Sequence, residues 1–331
     1  MNHKSSLHAS LVVAMGTLAT SAIAQTSYRV VELPVRPLAV GTIEMTYAMA
    51  VDVKGKVLVW VDDDPADLAR GEVCTEAGCT VVDTIGDVQF RAMNKWGVLV
   101  GSTVSSAPTA IRKNGDVTSW ITEGTAHGVN SAAVTVGQTR GQKPFRYDAS
   151  LTLLPTLGGY VGNAKAINDS GVIVGYSQLP GGQYRATQWV DAAPQDLGVI
   201  AGGTQSRAHA INSAGHAVGC SDKQLDTKWQ AVKYRAGTVV QYSGALTSCA
   251  FAINKNGVAV GEMETAAHPS SHAFVTDGRK LVSLHTRISV ADQAKYELLW
   301  ASGINNAGQI AVTAVRQADG ATVALRLDPQ L

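Results

Sequence analysis

Short apolar runs alternate with polar turns along the chain, and most of the turns carry glycine. The clearest unit is Ala166-Ile167-Asn168-Asp169-Ser170-Gly171-Val172-Ile173-Val174-Gly175, two apolar runs joined by Asn-x-x-Gly. It recurs at 210–219 and 252–261, and more loosely around Asn94, Asn130 and Asn305. A degenerate first copy has Asp52 in the asparagine place and Gly55 three residues later. The seven anchors at 52, 94, 130, 168, 212, 254 and 305 are spaced by 42, 36, 38, 44, 42 and 51 residues, about 42 on average. Asn-x-x-Gly predicts a tight turn, because asparagine tolerates left-handed backbone and caps its own amides while glycine supplies positive φ. Asn94, Asn130, Asn168, Asn212, Asn254 and Asn305 are therefore structural turn residues.

Each unit holds more strands than these two. A third reads at 184–190 and again at 229–234, and a fourth at 151–154 and 281–284. Four short antiparallel strands every 40-odd residues are the blade signature of a β-propeller. Helical periodicity is absent beyond the first segment. After Asn305 only two more strands can be read, around 310–312 and 322–325, so the last unit is one strand short. Residues 28–33 read as a strand ahead of the first complete unit. The prediction is an all-β, seven-bladed β-propeller of four-stranded blades, its N-terminal strand completing the last blade. That closure leaves only short, protected sheet edges.

Three further stretches carry a family likeness. His272-Ala273-Phe274 is followed by Asp277-Gly278, and Leu157-Gly158-Gly159 leads to Ala164-Lys165-Ala166-Ile167-Asn168. Gly202-Gly203 leads more loosely to Ala208-His209-Ala210-Ile211-Asn212. Over roughly residues 45–315 the chain resembles the HAF-type extracellular repeat family of bacterial secreted proteins. The resemblance implies an exported repeat protein and no particular chemistry. Departures are Asp52 for asparagine, Ala133 for the turn glycine, and Ala311-Val312 where Val-Gly would stand.

Composition narrows the partners. Of 331 residues 45% are apolar and 16% charged, with 27 Lys+Arg against 26 Asp+Glu. That balance offers no basic excess for a phosphate backbone, so nucleic acid is not an expected partner. Residues 1–24 read as a secretory signal: Lys4, an apolar stretch from Leu11, and Ala22-Ile23-Ala24 before Gln25. Its apolar part, Leu11 to Ala24, falls short of the ~20 residues that span a bilayer. No later stretch is longer, so no membrane span is expected. Without this segment the chain carries 26 charges of each sign. Residues 25–331 then form one domain, exported to the periplasm or the extracellular space.

Four cysteines fit an oxidising compartment. Cys74 and Cys79 flank a short polar loop and can staple a hairpin, leaving Cys220 and Cys249 to pair by elimination; free thiols are the alternative. Neither pair has metal-site spacing with nearby histidines, so no metal and no cofactor is expected.

No nucleophile elbow, zinc-protease motif, phosphate loop or dinucleotide fingerprint is present. Asp62, Asp63, Asp64 and Asp67 read as a solvated loop, and Trp60, Trp120, Trp189 and Trp229 as blade core. His272 reads as a satisfied strand residue, His268 and His285 as isolated, and Tyr176 and Tyr184 as lacking a partner. One position is sharper. Three residues before the anchors stand Met49, Arg91, His127, Lys165, His209, Phe251 and Ser302. On the innermost strand, Arg91, His127, Lys165 and His209 would form a cationic arc beside the channel, a candidate site for an anionic small molecule or glycan. The bland alternative leaves them apart and solvated.

The leading functional reading is an exported, non-catalytic binding or surface-interaction protein, with no catalytic residue assigned. The enzymatic alternative is a secreted lyase or hydrolase on acidic polysaccharide. There Arg91 or Lys165 would neutralise a carboxylate and His127 or His209 would act as base. A purely structural secreted repeat protein is the third reading.

Overall fold

The structure, a computed structural model, describes residues 26–35, 43–64, 69–82, 88–223, 226–235 and 237–330. The leader segment and Asp67 lie outside them. Seven four-stranded antiparallel blades form among these residues. Blade 1 runs through Ile43–Val51, Val57–Asp64, Arg70–Thr75 and Gly78–Val81. Blade 2 begins at Val88–Met93 and ends in the first half of Val117–Val129; the second half of that strand opens blade 3. Blades 4, 5 and 6 begin with Gly162–Ile167, Ser206–Ile211 and Thr247–Ile253. Blade 7 consists of Tyr296–Ile304, Ile310–Arg316, Thr322–Gln330 and the N-terminal Ser27–Glu32.

Closure follows the expected route. Ser27–Glu32 pairs antiparallel with Thr322–Gln330, Val30 opposite Leu327. The first strand of each blade touches the first strands of both neighbours, including Tyr296–Ile304 against Ile43–Val51, so these seven strands are innermost. Antiparallel order then puts the turns between second and third strands, and the blade-to-blade connections, on one face of the ring. The Asn-x-x-Gly turns lie on the other.

Fully buried Phe90, Phe145, Trp189, Phe274 and Leu298 pack between the sheets. Trp189 keeps its indole N–H satisfied at 2.7 Å by the Pro155 carbonyl. The other three tryptophans correct the sequence reading. Trp120 is 54% exposed on the outermost strand of blade 2, and Trp60 and Trp229 are half-buried, the first stacked on Tyr47 and the second in the cleft between blades 5 and 6. Asp62 to Asp64 end the strand Val57–Asp64 rather than forming a loop.

The anchor asparagines do more than turn the chain. Each side-chain carbonyl accepts the backbone N–H two and four residues on; for Asn168 these come from Ser170 at 3.1 Å and Val172 at 3.0 Å. Each side-chain amide donates to the backbone carbonyl of the next blade's anchor. Asn94 reaches Asn130 at 2.8 Å, Asn130 reaches Asn168 at 3.2 Å, and Asn168 reaches Asn212 at 3.1 Å. Asn212 reaches Asn254 at 3.0 Å, Asn254 reaches Asn305 at 3.3 Å, and Asn305 reaches Asp52 at 2.9 Å. This belt passes through every blade and breaks once. The Asp52 carboxylate caps its own turn, accepting Lys54 and Lys56 N–H at 2.8 Å, but has no N–H to give Asn94.

Both disulfides form. Cys74–Cys79 staples the outer hairpin of blade 1, and Cys220–Cys249 ties the second strand of blade 5 to the first strand of blade 6. The connection between blades 6 and 7 carries a short helix, Val290–Lys295, which the sequence pattern did not announce. Its six residues are too few to print a helical period. Among the described residues no helix is long and apolar enough to cross a membrane.

Candidate functional site

In every blade the pairing of first and second strands skips one residue at an equivalent place, and in blade 7 Leu299 is skipped besides. The residues at the equivalent place are Met49, Arg91, His127, Lys165, His209, Phe251 and Ser302. The variable position three before each anchor is thus a β-bulge, a device that re-aims one side chain out of the strand's alternation. The repeat's closing glycine belongs to the same device. A Cβ on Gly101, Gly137, Gly175, Gly219 or Gly261 would stand 1.9–2.1 Å from a carbonyl of the bulged strand. Backbone approaches side chain so closely there that only glycine fits.

Blades 2 to 5 place Arg91, His127, Lys165 and His209 within one another's electrostatic reach. Burial drives His127 well below the usual imidazole range, and the charges of Lys165, Arg91 and His209 add to it. Burial, then Lys165 and Arg207, hold His209 at about 3. Burial, then Arg91 and Arg207, bring Lys165 down to about 8. At neutral pH the two imidazoles are therefore neutral and the lysine is mostly charged. The same causes predict acid lability. The unfolded chain's histidines take up protons near pH 6.5, whereas His127 and His209 in the fold resist them far lower. Folding stability should therefore fall as pH drops below about 6.5, by up to ~1.4 kcal/mol per pH unit for each. Urea midpoints measured from pH 7 to pH 4.5 check this, and a flat profile would contradict it.

A third cation joins the arc. Arg207, two residues before His209, lies over the rings of Tyr176 at 5.2 Å, Tyr184 at 5.7 Å and Trp229 at 5.2 Å. Tyr176 and Tyr184 thus have partners, contrary to the sequence reading. They meet edge to face at 5.5 Å, and Lys165 Nζ stands 5.9 Å from the Tyr176 ring. Among the described residues no carboxylate pairs with Arg91, Lys165 or Arg207, and the buried Nε atoms of both arginines have no acceptor. Arg207 was not singled out because its position in the other units carries no shared residue type.

His209 meets Phe251 edge-on at 5.7 Å, and its Nε2 lies 3.9 Å from Cys220 Sγ. These residues line a cleft of about 380 Å³ between blades 5 and 6, with Arg207, Trp229, Glu262 and Ser271. Burial raises the Glu262 carboxyl above its ordinary range against the Ser271 hydroxyl, which donates to it at 3.1 Å. Across the ring the lining changes character. Ser302 Oγ donates to the Ala48 carbonyl at 2.6 Å, and Tyr47 stacks between Trp60 at 5.2 Å and Trp300 at 6.1 Å. Blades 7 and 1 thus carry an aromatic stack, whereas in blades 2 to 5 aromatic rings are interleaved with Arg91, Lys165 and Arg207.

No family model matches the chain, and no curated protein does. Solved structures do match. An oligogalacturonate lyase from Vibrio parahaemolyticus is 9% identical, covering 91% of this chain and 97% of its own, with a TM-score of 0.57. An oligogalacturonate lyase in complex with manganese is 9% identical, covering 92% and 96%, with a TM-score of 0.55. A gluconolactonase from Xanthomonas campestris is 12% identical, covering 94% and 93%, with a TM-score of 0.46. The first two share the propeller architecture end to end. The leading expectation of a non-catalytic binding protein is corrected at this point: the neighbours in fold are enzymes, and the enzymatic alternative is the better supported.

Proposed function

We propose that the chain is an exported carbohydrate-active enzyme that cleaves uronate-bearing oligosaccharides by β-elimination. One observation carries the reading: half-buried Arg91, Lys165 and Arg207 lie within electrostatic reach of two neutral imidazoles, and among the described residues no carboxylate pairs with them. Fixed positive charge of this kind is left uncompensated only at a cost, which an anionic ligand removes. Two disulfides and the leader-like first 24 residues support export, and the HAF-type likeness points the same way.

In this reading Lys165 and Arg91 bind the uronate carboxylate and neutralise it, which acidifies the adjacent C5–H. His127 lies between those two blades' cations in chain order and takes the proton. The C5–H electron pair becomes the C4=C5 double bond, the C4–O bond breaks, and the departing oxygen takes a proton from water or an acid. Arg207 on its aromatic bed holds a neighbouring uronate. One of the lyase structures carries manganese, and this ring's donor set does not suit such an ion. None of the seven bulged residues is a carboxylate, and Arg91 and Lys165 repel a divalent cation. Among the described residues the two groups of three donors within 4.8 Å of one another both depend on disulfide sulfur. No step is routed through a metal.

The test is incubation with oligogalacturonate and other uronate polymers, following ultraviolet absorbance of the unsaturated product. Wild type should give a steady rise, and His127→Ala should lower the rate about 100-fold or more. A flat trace across all uronate substrates, with intact folded protein, would remove the proposal.

A further inference from the structure

Three histidines that look unrelated in the sequence meet at one cleft. His268 lies on an exposed turn after the second strand of blade 6, and His272 opens that blade's third strand. His285 follows its fourth strand, in a 3-10 turn, Leu284–Arg287. The connection from blade 6 to blade 7 runs from Leu284 to Lys295, and the anchors Asn254 and Asn305 that flank it are 51 positions apart, the widest spacing between successive copies. Its extra length folds back to bring His285 and the strand carrying Glu297 against the other two. The resulting cleft of about 290 Å³ holds His268, His272, His285 and Glu297 on its wall. It lies apart from the bulged residues and plays no part in the elimination reading.

One pair of these histidines approaches the spacing of a metal site. The His268 and His272 ring centroids are 5.6 Å apart. Two imidazoles bound to one tetrahedral ion at Zn–N distances of about 2.0 Å have centroids about 5 Å apart. His272 is buried and already oriented. Its Nδ1 lies 3.2 Å from the Ser270 carbonyl, a contact only a protonated Nδ1 can make, so Nε2 presents its lone pair. Donation of the second ring nitrogen to a backbone carbonyl is the support that metal-binding histidines commonly have. Glu297 is steadied by Gln317, whose amide donates to it at 3.4 Å. The charges of His268, Glu297 and His272 all act on His285. The four donors stand further apart than a bound ion would hold them. His268 is the most exposed of the three histidines, on a turn closed by three hydrogen bonds with Thr265.

We propose that His268, His272, His285 and Glu297 form a binding site for a borderline divalent transition metal, with Zn²⁺ as the best match. Three imidazoles and one carboxylate suit that class, whereas Ca²⁺ and Mg²⁺ want all-oxygen shells. A bound ion would tie the long connection to the turn beside Ser271 and so stiffen one wall of the cleft between blades 5 and 6.

The test is calorimetric titration of Zn²⁺ into the purified protein without any added histidine tag, with Co²⁺ substitution read by its tetrahedral visible bands. One ion per chain is expected, with binding weakened at least 10-fold in His268→Ala and in His285→Ala. Glu297→Gln covers the case in which an alanine variant fails to fold. His216→Ala, in the turn region of blade 5, should bind like wild type. Absence of saturable binding, or binding undiminished in His268→Ala, His285→Ala and Glu297→Gln, would overturn the proposal.

Discussion

Lys165→Met is expected to lower kcat/KM on a uronate oligosaccharide about 100-fold and to shift the pH profile as well. The first effect is the loss of a charge-assisted contact to a carboxylate in a half-buried site, a contact of roughly 3 kcal/mol that strengthens as the transition state gains charge. The second distinguishes this site from a lysine that merely packs. Lys165 is the largest charge acting on both His127 and His209 after burial itself. Removing a positive neighbour makes it easier to protonate an imidazole, so both imidazole pKa values should rise. The base works neutral, and the acid limb of activity should therefore move to higher pH. On the alkaline side, wild type should lose activity as Lys165 discharges near its value of about 8, and the variant should lack that limb. Lys165→Arg keeps the cation and should restore much of the rate while abolishing the descent above pH 8. The measurement is kcat/KM from pH 5 to pH 9.5 for the three proteins. Equal profiles for wild type and Lys165→Met would mean that the lysine neither binds the substrate nor tunes the base.

The bulged position was legible because seven copies of a motif can be compared with one another. Variation at a single place amid small and apolar neighbours marks a side chain released from packing. What could not be read was how that release is achieved. The extra residue in each first strand, and the glycine clearance opposite it, exist only in the pairing register. Arg207 was hidden for a related reason. Its partners Tyr176, Tyr184 and Trp229 lie about 20 to 30 residues away in two different blades, so no local window contains them. His268 and His285 seemed isolated, and His272 a satisfied strand residue, because a long connection, not a repeat spacing, brings them together. Periodicity finds what the rotation of the ring repeats. It is blind to what a single blade does alone.

The asparagine belt is where the repeat itself should carry the largest share of stability. Asn168→Ala removes two acceptances from Ser170 and Val172 and one donation to Asn212, all at a residue only 7% exposed. A buried donor or acceptor left unmet costs about 1–3 kcal/mol, so the variant should lose roughly 3–4 kcal/mol if backbone and water meet part of the demand. Asn168→Asp separates the contributions. The carboxylate keeps the cap, as Asp52 does, and loses only the link between blades, at a cost of about 1 kcal/mol. The reverse change closes the ring. Asp52→Asn supplies the missing amide opposite the Asn94 carbonyl, while its side-chain carbonyl can still accept Lys54 and Lys56 N–H. It should stabilise the fold by about 1 kcal/mol. Urea unfolding of the three variants at pH 7 orders them: Asp52→Asn above wild type, Asn168→Asp below it, Asn168→Ala lowest. If Asn168→Asp falls as far as Asn168→Ala, the link between blades outweighs the cap. If Asp52→Asn is destabilising, the break in the belt is a feature the first blade requires, and the belt is not the continuous brace described above.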